Sequence, residues 1–409
     1  GRLGGQVGDA VRLATPGLTV TASSGNGSYT VSWTAAPVAT RYQLEEQVNS
    51  GAWATIHDAA GLSKVFNDKP AASYGYRVRA CSATACGSVS PASVVEVQLP
   101  PTDAPTLSAP ATGLNGSFTV NWNSVAAATR YQLEERQGAG AWATILDGPG
   151  SSQAISGKAA GDWSYQVRGC NAVDCGPVSA IASVNVVLAP TATPTLTAPA
   201  SNYTGSYSLS WTAVATAVRY ELEERLDAGA WSNVHNAAAT TKAVAGRTAG
   251  SWSYRVRGCN DAGCAPYSAV QATLVTLAPT AAPTVTAPAT NYSGSYPVSW
   301  TTVAAATTYA VEQQFNGGAW TELQNVAAGS LAVSGQASGS YGYRARGCNA
   351  GGCGPYSAVG TTQVTLPPAS APSPTAPASS STGDFTVSWN TVAAATSYQI
   401  DEQVNGGVW

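Results

Sequence analysis

The chain contains short runs in which apolar and polar residues alternate. Tyr29–Trp33, residues 42–45 and residues 74–80 each place apolar side chains at every second position, and glycine, asparagine and serine clusters separate them. Because successive side chains of a strand point to opposite faces of a sheet, this alternation predicts half-buried β-strands. No amphipathic helical pattern of useful length occurs, so the sequence predicts an all-β protein.

The same pattern returns with a period of 89 residues. A solenoid unit has about 20 to 50 residues, whereas a small β-sandwich has about 100, so each repeat is predicted to be a whole domain. Two tryptophan series and four cysteine pairs keep this period. They are Trp33, Trp122, Trp211, Trp300 and Trp389; Trp53, Trp142, Trp231, Trp320 and Trp409; and Cys81 with Cys86, Cys170 with Cys175, Cys259 with Cys264, and Cys348 with Cys353.

Three motifs of each repeat resemble strands B, C and F of fibronectin type III domains. In the first repeat they are residues 31–33 (Val-Ser-Trp), residues 42–46 (Tyr-Gln-Leu-Glu-Glu) and residues 74–80 (Tyr-Gly-Tyr-Arg-Val-Arg-Ala). The resemblance covers four complete repeats and part of a fifth, and it implies tandem seven-stranded immunoglobulin-like β-sandwiches. Repeats rich in alanine, glycine and cysteine in this style look most like those of large bacterial secreted or cell-surface proteins.

The resemblance also implies a corner bond at the start of strand F. In the family, a tyrosine there bonds its hydroxyl to the backbone a few residues upstream. Two tryptophans depart from that pattern, which puts the bond in question in those repeats. The matching positions are Tyr74, Trp163, Trp252 and Tyr341.

Short proline-bearing segments separate the repeats and predict semi-rigid joints, because proline favours extended backbone and limits bending. Methionine is absent and the last repeat stops partway, so we expect the sequence to be a segment of a longer chain. The predicted divisions are residues 1–13 as the last strand of a preceding repeat, residues 14–102, 103–191, 192–280 and 281–369 as repeats 1 to 4, and residues 370–409 as a partial repeat 5.

Composition excludes several classes of function. Hydrophobic residues make up 44% of the 409 residues, too many for wholesale disorder. Charged residues make up 10% and the net charge is −3, so the chain offers no basic surface for nucleic acid. No apolar run approaches the ~18 residues of a membrane-spanning helix. No nucleic-acid partner, no cofactor and no membrane span are predicted for this segment.

Each cysteine pair brackets the predicted turn between strands F and G. Facing positions beside a hairpin turn have Cβ atoms about 4.5 to 5.5 Å apart, close to what a disulfide requires. A zinc site needs about four clustered ligands, whereas each repeat has two thiols and the chain has only His57 and His235. We therefore predict four local disulfides and no metal, with free thiols and metal binding as the less favoured alternatives.

No catalytic residue is predicted. Adjacent acids such as Glu45 and Glu46 point to opposite faces of a strand, so they cannot flank one scissile bond. Neither histidine lies in a nucleophile motif. The outward acid of each repeat is predicted to pair across strands with an arginine of strand F, namely Arg79, Arg168, Arg257 or Arg346. The segment is accordingly predicted not to be an enzyme.

Two roles are possible for the second tryptophan series, namely packing within the domain and contact with a ligand. Its members precede an aliphatic residue by three positions, which breaks strict alternation and suggests a bulged or strand-end site. Packing over the sheet edge is the favoured interpretation, and contact with a sugar or protein ligand is the alternative. The candidate ligand-contact residues are Trp53, Trp142, Trp231 and Trp320.

These features predict an extracellular or cell-surface structural array that spaces or presents other parts of a protein, as a surface adhesin or a filament-forming subunit. Its expected partners are other copies of the protein or cell-surface components. The alternative is a carbohydrate-binding accessory array of a secreted polysaccharide-degrading enzyme, whose partner would be polysaccharide. Exposure of the second tryptophan series would favour the alternative.

Overall fold

The computed structural model of the chain describes residues 12–409. All regular elements in this range are strands, and no helix occurs within it. The prediction of an all-β protein is confirmed. The predicted strand of a preceding repeat lies outside the described residues except for Arg12 and Leu13, which form no strand.

Repeat 1 is a sandwich of a three-stranded and a five-stranded sheet. The first of the seven predicted strands is split into two short pieces, one in each sheet. The strands of repeat 1 are β1 (Leu18–Thr19), β2 (Ser23–Ser24), β3 (Tyr29–Trp33), β4 (Arg41–Val48), β5 (Ala54–Ala59), β6 (Ser63–Phe66), β7 (Ala72–Cys81) and β8 (Ser93–Val97).

Repeats 2 to 4 share this plan and add a short strand opposite the end of the longest one. Repeat 2 has β9 (Leu107–Ser108), β10 (Thr112–Leu114), β11 (Phe118–Trp122), β12 (Arg130–Gln137), β13 (Ala143–Gly148), β14 (Ser152–Ile155), β15 (Gly161–Cys170), β16 (Cys175–Val178) and β17 (Ala182–Val187). Repeat 3 has β18 (Leu196–Thr197), β19 (Ser201–Asn202), β20 (Tyr207–Trp211), β21 (Arg219–Leu226), β22 (Ser232–Ala237), β23 (Thr241–Val244), β24 (Gly250–Asn260), β25 (Gly263–Cys264) and β26 (Gln271–Val275).

Repeat 4 has β27 (Val285–Thr286), β28 (Thr290–Asn291), β29 (Tyr296–Trp300), β30 (Thr308–Phe315), β31 (Trp320–Val326), β32 (Ser330–Val333), β33 (Gly339–Asn349), β34 (Gly352–Cys353) and β35 (Gly360–Val364). Residues 370–409 form only β36 (Pro374–Thr375) and β37 (Ser388–Trp389), which pair with each other.

The strand order of repeat 1 is β1-β3-β6 in one sheet and β2-β8-β7-β4-β5 in the other. The split first strand is antiparallel to β3 through β1 and parallel to β8 through β2. Residues 18–24 therefore cross from one sheet to the other and supply an edge strand to each. Repeats 2, 3 and 4 have the same order at the equivalent strands.

The core lies between the two sheets of each repeat and is built from the inward positions of the alternating strands. In repeat 1, Val31, Leu44 and Tyr76 are completely buried, and Trp33 packs beside Tyr42. Each cluster of buried hydrophobic residues falls within one predicted repeat. The residues equivalent to Tyr76 are also fully buried, namely Tyr165, Tyr254 and Tyr343.

Strand F of the four repeats corresponds to β7, β15, β24 and β33, and the corner bond at its start occurs in all four repeats. Tyr74 and Tyr341 donate their hydroxyls to the carbonyls of Pro70 and Ala337, at 3.0 and 3.1 Å. Where tryptophan stands instead, the indole N–H donates in the same way, from Trp163 to Ala159 at 3.0 Å and from Trp252 to Thr248 at 2.9 Å. The indole nitrogen therefore preserves the bond that the missing hydroxyl would have made.

The chain divides into two compact units. The first comprises Gly1–Ala189 with Asp261–Gly263 and contains repeats 1 and 2. The second comprises Pro190–Asn260 with Cys264–Trp409 and contains repeat 4 and most of repeat 3.

Candidate functional site: the tryptophan face and the joints between repeats

The second tryptophan series lies on the outer face of the larger sheet of each repeat, and Trp53, Trp142, Trp231 and Trp320 are half-buried. In repeat 1 the guanidinium of Arg77 lies 4.3 Å from the centre of the Trp53 ring system. A Cβ atom on Gly75 would lie 3.3 Å from Cη2 of Trp53, so the indole extends across strand β7. In repeat 4, Arg344 stacks on Trp320 in the same way at 4.3 Å.

Each repeat keeps a cation on its tryptophan, although the arginine changes. Repeat 2 has Gln166 at the position of Arg77, and Arg136 of β12 stacks on Trp142 at 4.5 Å instead. In repeat 3, Trp231 contacts both Arg225 and Arg255, at 4.5 and 4.4 Å. The cation–π contact is thus a property of the sheet face and does not depend on one residue position.

Tyrosines extend the stack in repeats 3 and 4. The guanidinium of Arg255 lies 4.2 Å from the ring of Tyr267, and that of Arg344 lies 4.0 Å from the ring of Tyr356. Each of these arginines therefore contacts two aromatic rings, whereas Val89 and Val178 occupy the tyrosine position in repeats 1 and 2. The stacking favours a packing role for the tryptophans, and ligand contact remains a prediction.

The outward acid beside this stack pairs mainly with a different arginine from the one predicted. Glu45 bonds Arg77 at 2.5 Å, whereas the predicted partner Arg79 lies at 3.8 Å. The strand register explains this, because Glu45 stands opposite Arg77 and Gln43 stands opposite Arg79. Glu223 and Glu312 likewise bond Arg255 and Arg344, both at 2.6 Å, whereas Glu134 keeps Arg168 at 4.0 Å.

Hydrogen bonds lower the pKa values of the outward acids of repeats 3 and 4. Burial alone would raise the pKa of Glu223, but hydrogen bonds from Arg255 and Tyr267 bring it below its ordinary value. Burial acts in the same direction on Glu312, and Tyr356 and Arg344 likewise lower its pKa. Glu223 and Glu312 are therefore held in the charged form, which suits an ion pair and not a general acid.

The second acid of the Glu-Glu motif points into the sandwich. Glu46 accepts hydrogen bonds from Lys69 and from the Tyr76 hydroxyl, both at 2.6 Å, and the Tyr29 and Tyr76 hydroxyls lie 2.7 Å apart. Burial raises the pKa of Tyr29 to about 12. The two neighbouring acids thus lie on opposite faces, which is the arrangement that argued against a catalytic pair.

The charge of this interior pair differs between repeats, but both partners change together. Lys158 bonds Glu135 in repeat 2, and Arg247 bonds Glu224 in repeat 3 at 2.7 Å. In repeat 4 both positions are neutral, and the Gln313 side-chain amide donates to Gln336 at 3.0 Å and to the Tyr343 hydroxyl at 2.8 Å. Both partners are charged or both are neutral, as expected for a pair that is mostly removed from water.

All eight cysteines form disulfides, and each bond joins the two sides of one F–G hairpin. The bonds are Cys81–Cys86, Cys170–Cys175, Cys259–Cys264 and Cys348–Cys353. The first cysteine of each pair is buried. The carboxylate of Glu221 lies within 4.8 Å of both sulfurs of its repeat. Because those sulfurs are bonded to each other, they offer no thiolate to a metal ion.

The hairpin of repeat 2 docks on the linker that precedes the repeat. The side-chain amide of Asn171 donates to the Leu99 carbonyl at 2.7 Å. A Cβ atom on Gly176 would overlap the Pro101 carbonyl oxygen, and Pro101 itself is buried. The hairpin and the linker are therefore in direct backbone contact, and this joint lies within the first compact unit.

The joint between repeats 3 and 4 follows the same plan. The side-chain amide of Asn349 donates to the Leu277 carbonyl at 2.8 Å and to the Ala305 carbonyl of its own repeat at 2.9 Å. A Cβ atom on Gly354 would overlap the Pro279 carbonyl oxygen. Pro279 is buried. The hairpin of the following repeat therefore lies directly against this proline.

The sequence predicts the linkers and the hairpins as separate features and does not predict the contact between them. One signal was available, since glycine follows the second cysteine in repeats 1, 2 and 4. None of these three glycines adopts a positive φ. Their value therefore lies in the close approach of a neighbouring backbone, which a sequence pattern alone does not reveal.

Comparisons with known proteins give little direct help. No family profile and no curated protein matches the sequence. Among solved structures, the chicken CNTN1 FN1–FN3 domains are similar at 18% identity over 64% of this chain and 99% of that chain, with a TM-score of 0.29. At this score the likeness carries no argument.

Within residues 12–409, no helix is long and apolar enough to cross a membrane. The fold is defined by the chain's own strand order, with a three-stranded sheet packed on a five- or six-stranded sheet in each repeat and a corner bond at the start of β7, β15, β24 and β33. Each of the four repeats therefore has a fibronectin type III-like β-sandwich fold.

Proposed function

We propose that this chain is an extracellular structural array that holds its repeats at fixed spacing, as a cell-surface adhesin or a filament-forming subunit. The observation that carries the proposal is the docking of each F–G hairpin on the preceding linker at the two joints described above. A linker whose carbonyls accept hydrogen bonds from the next repeat has fewer conformations than a free one. Such joints suit a spacer better than a flexible tether.

Two features support the extracellular setting. The protein has four disulfides in small domains, and disulfides persist mainly outside the reducing cytosol. The fold is typical of extracellular domains and is typically non-catalytic. We propose other copies of the protein or cell-surface components as partners, bound through edges and broad surfaces of the sandwiches.

The half-buried tryptophans support a second candidate, a carbohydrate-binding accessory array of a secreted polysaccharide-degrading enzyme. An indole that retains exposed surface can stack on a sugar ring. Each of these indoles already has a guanidinium over its ring, however, and in repeats 3 and 4 that guanidinium also contacts a tyrosine. We therefore rank this function second.

Substitution of the joint asparagine tests the first proposal. In the full chain, spin labels at the exposed positions Ala54 and Ala143 report the distance between repeats 1 and 2 by pulsed electron resonance. Asn171→Ala is expected to broaden this distance distribution, because the amide that bonds the linker is lost. Asn185→Ala is the matched control, since its side chain bonds Asp162 within repeat 2. A distribution that stays the same in Asn171→Ala and the control would contradict the proposal.

A further inference from the structure

The F–G hairpins of repeats 2 and 4 have different shapes. Between its cysteines, the hairpin of repeat 2 has the sequence Asn-Ala-Val-Asp and that of repeat 4 has Asn-Ala-Gly-Gly. Gly352 has a φ of 122°, which L side chains rarely adopt, whereas Asp174 in the equivalent position has no positive φ. In repeat 4, Asn349 pairs with Gly352 as a strand residue, and in repeat 2 the backbone N–H of Asn171 donates to the Asp174 carbonyl at 3.1 Å.

The different shapes give the residue before this position different neighbours. In repeat 2 that residue is Val173, and a Cβ atom on Gly25 of repeat 1 would lie 2.8 Å from Cγ1 of Val173. The valine therefore occupies space that the absence of a side chain at Gly25 leaves free. At the joint between repeats 1 and 2 (joint 1–2), a valine of the hairpin therefore packs against a glycine of the preceding repeat.

In repeat 4 the equivalent residue is Gly351, and backbone fills the space around it. A Cβ atom on Gly351 would overlap the Thr276 carbonyl oxygen and lie 2.9 Å from both the Ala278 nitrogen and the Leu277 carbonyl carbon. All three atoms belong to the end of repeat 3. Gly351 has no positive φ, so it is the preceding repeat, and not the hairpin's own conformation, that excludes a side chain.

The preceding repeats also differ at the position of Gly25. In repeat 3 this position is occupied by Tyr203, which is 48% exposed. Repeat 1, which precedes the valine hairpin, therefore has a glycine at this position, and repeat 3, which precedes the glycine hairpin, has a tyrosine. The two joints are therefore not interchangeable parts of one repeating contact.

We propose that the joints 1–2 and 3–4 are specific interfaces, in which the F–G hairpins of repeats 2 and 4 each fit the repeat that precedes them, so that these two hairpins cannot be exchanged. This inference rests on the proposed function, because a hairpin can select the preceding repeat only if the joint between the two repeats is fixed. The partner that the hairpin of repeat 4 accepts is a preceding repeat whose linker backbone comes close enough to exclude any side chain at position 351.

Exchange of the hairpin residue tests the inference in the full chain, with labels at the exposed positions Ser232 and Thr321. Gly351→Val gives repeat 4 the residue of repeat 2, and we expect the distance distribution to shift and broaden because the valine displaces the linker. Gly329→Val is the control, since a Cβ atom there would meet only an ordinary contact at 3.5 Å, with the Trp300 carbonyl oxygen. Hydrogen exchange of β33 reports whether repeat 4 stays folded.

The outcomes separate the inference from the proposed function. If Gly351→Val leaves the distribution unchanged while Asn349→Ala broadens it, the joint is fixed but not specific, and the inference is wrong. If neither variant changes the distribution, the proposed function fails as well. If Gly351→Val unfolds repeat 4, Gly351→Ala replaces it, since a single methyl group already overlaps the Thr276 carbonyl oxygen. An unchanged distribution in the folded alanine variant would also overturn the inference.

Discussion

Replacement of Lys69 with methionine is expected to destabilise repeat 1 by about 3 kcal/mol, because it leaves the Glu46 carboxylate inside the sandwich without its cation. The pair is mostly removed from water, with 20% of the Lys69 side chain and 11% of the Glu46 side chain exposed. The Tyr76 hydroxyl still donates to Glu46, which keeps the effect at the lower end of the range for a broken buried pair.

Repeat 4 supplies the matched control for this prediction. The double variant Glu46→Gln with Lys69→Gln reproduces the neutral pair of repeat 4, Gln313 with Gln336, which lies beside the equivalent pair of tyrosines. We expect the double variant to stay within about 1 kcal/mol of the wild type, since no charge is left buried alone. Native-state hydrogen exchange of β7 measures both changes in the free energy of opening, with β33 as an internal reference. Equal losses in the two variants would contradict this explanation.

Simultaneous replacement of the four tryptophans of the outer face with alanine is expected to lower the stability of each repeat by about 2 kcal/mol. The buried half of a large apolar side chain and at least one cation–π contact are lost in each case. Because these residues take no part in the described contacts of joints 1–2 and 3–4, label distances across both joints should remain those of the wild type. The substituted residues are Trp53, Trp142, Trp231 and Trp320.

The same variant distinguishes the two proposed functions. Under the structural proposal, neither the wild type nor the variant binds insoluble polysaccharide in a pull-down assay. If the wild type binds polysaccharide and a folded variant does not, the carbohydrate-binding alternative replaces the first proposal. Circular dichroism of both proteins supplies the folding control.

Local patterns predicted the strands well, and the reasons are physical. Tyr29–Trp33 alternates because one side faces the core, and the same period-two signal marks the other long strands. The split of the first strand escaped prediction, since β1 and β2 have two residues each and too little sequence to carry a period. The prediction of disulfides rested on the same local geometry, because each pair lies on one hairpin.

Features that depend on the register between strands, or on contacts between residues far apart in the sequence, were predicted wrongly or not at all. The main partner of Glu45 is Arg77 and not Arg79, because alternation places both arginines on one face without fixing which stands opposite the acid. The hydrogen bond from the Trp163 indole N–H to the Ala159 carbonyl requires the ring to extend across the corner, and the residue type alone does not show that it does. The joints connect residues about 70 positions apart, such as Asn171 and Leu99, and the alternation of apolar and polar residues does not mark such contacts.

The fixed joint is the central claim, and single-molecule fluorescence energy transfer in the unmodified array tests it most directly. Dyes at Ser232 and Thr321 of the full chain report the distance between repeats 3 and 4. A fixed joint predicts one narrow transfer efficiency that does not fluctuate during the observation time. A broad efficiency distribution, or rapid exchange between values, would show that the hairpin does not hold the linker and would contradict the account.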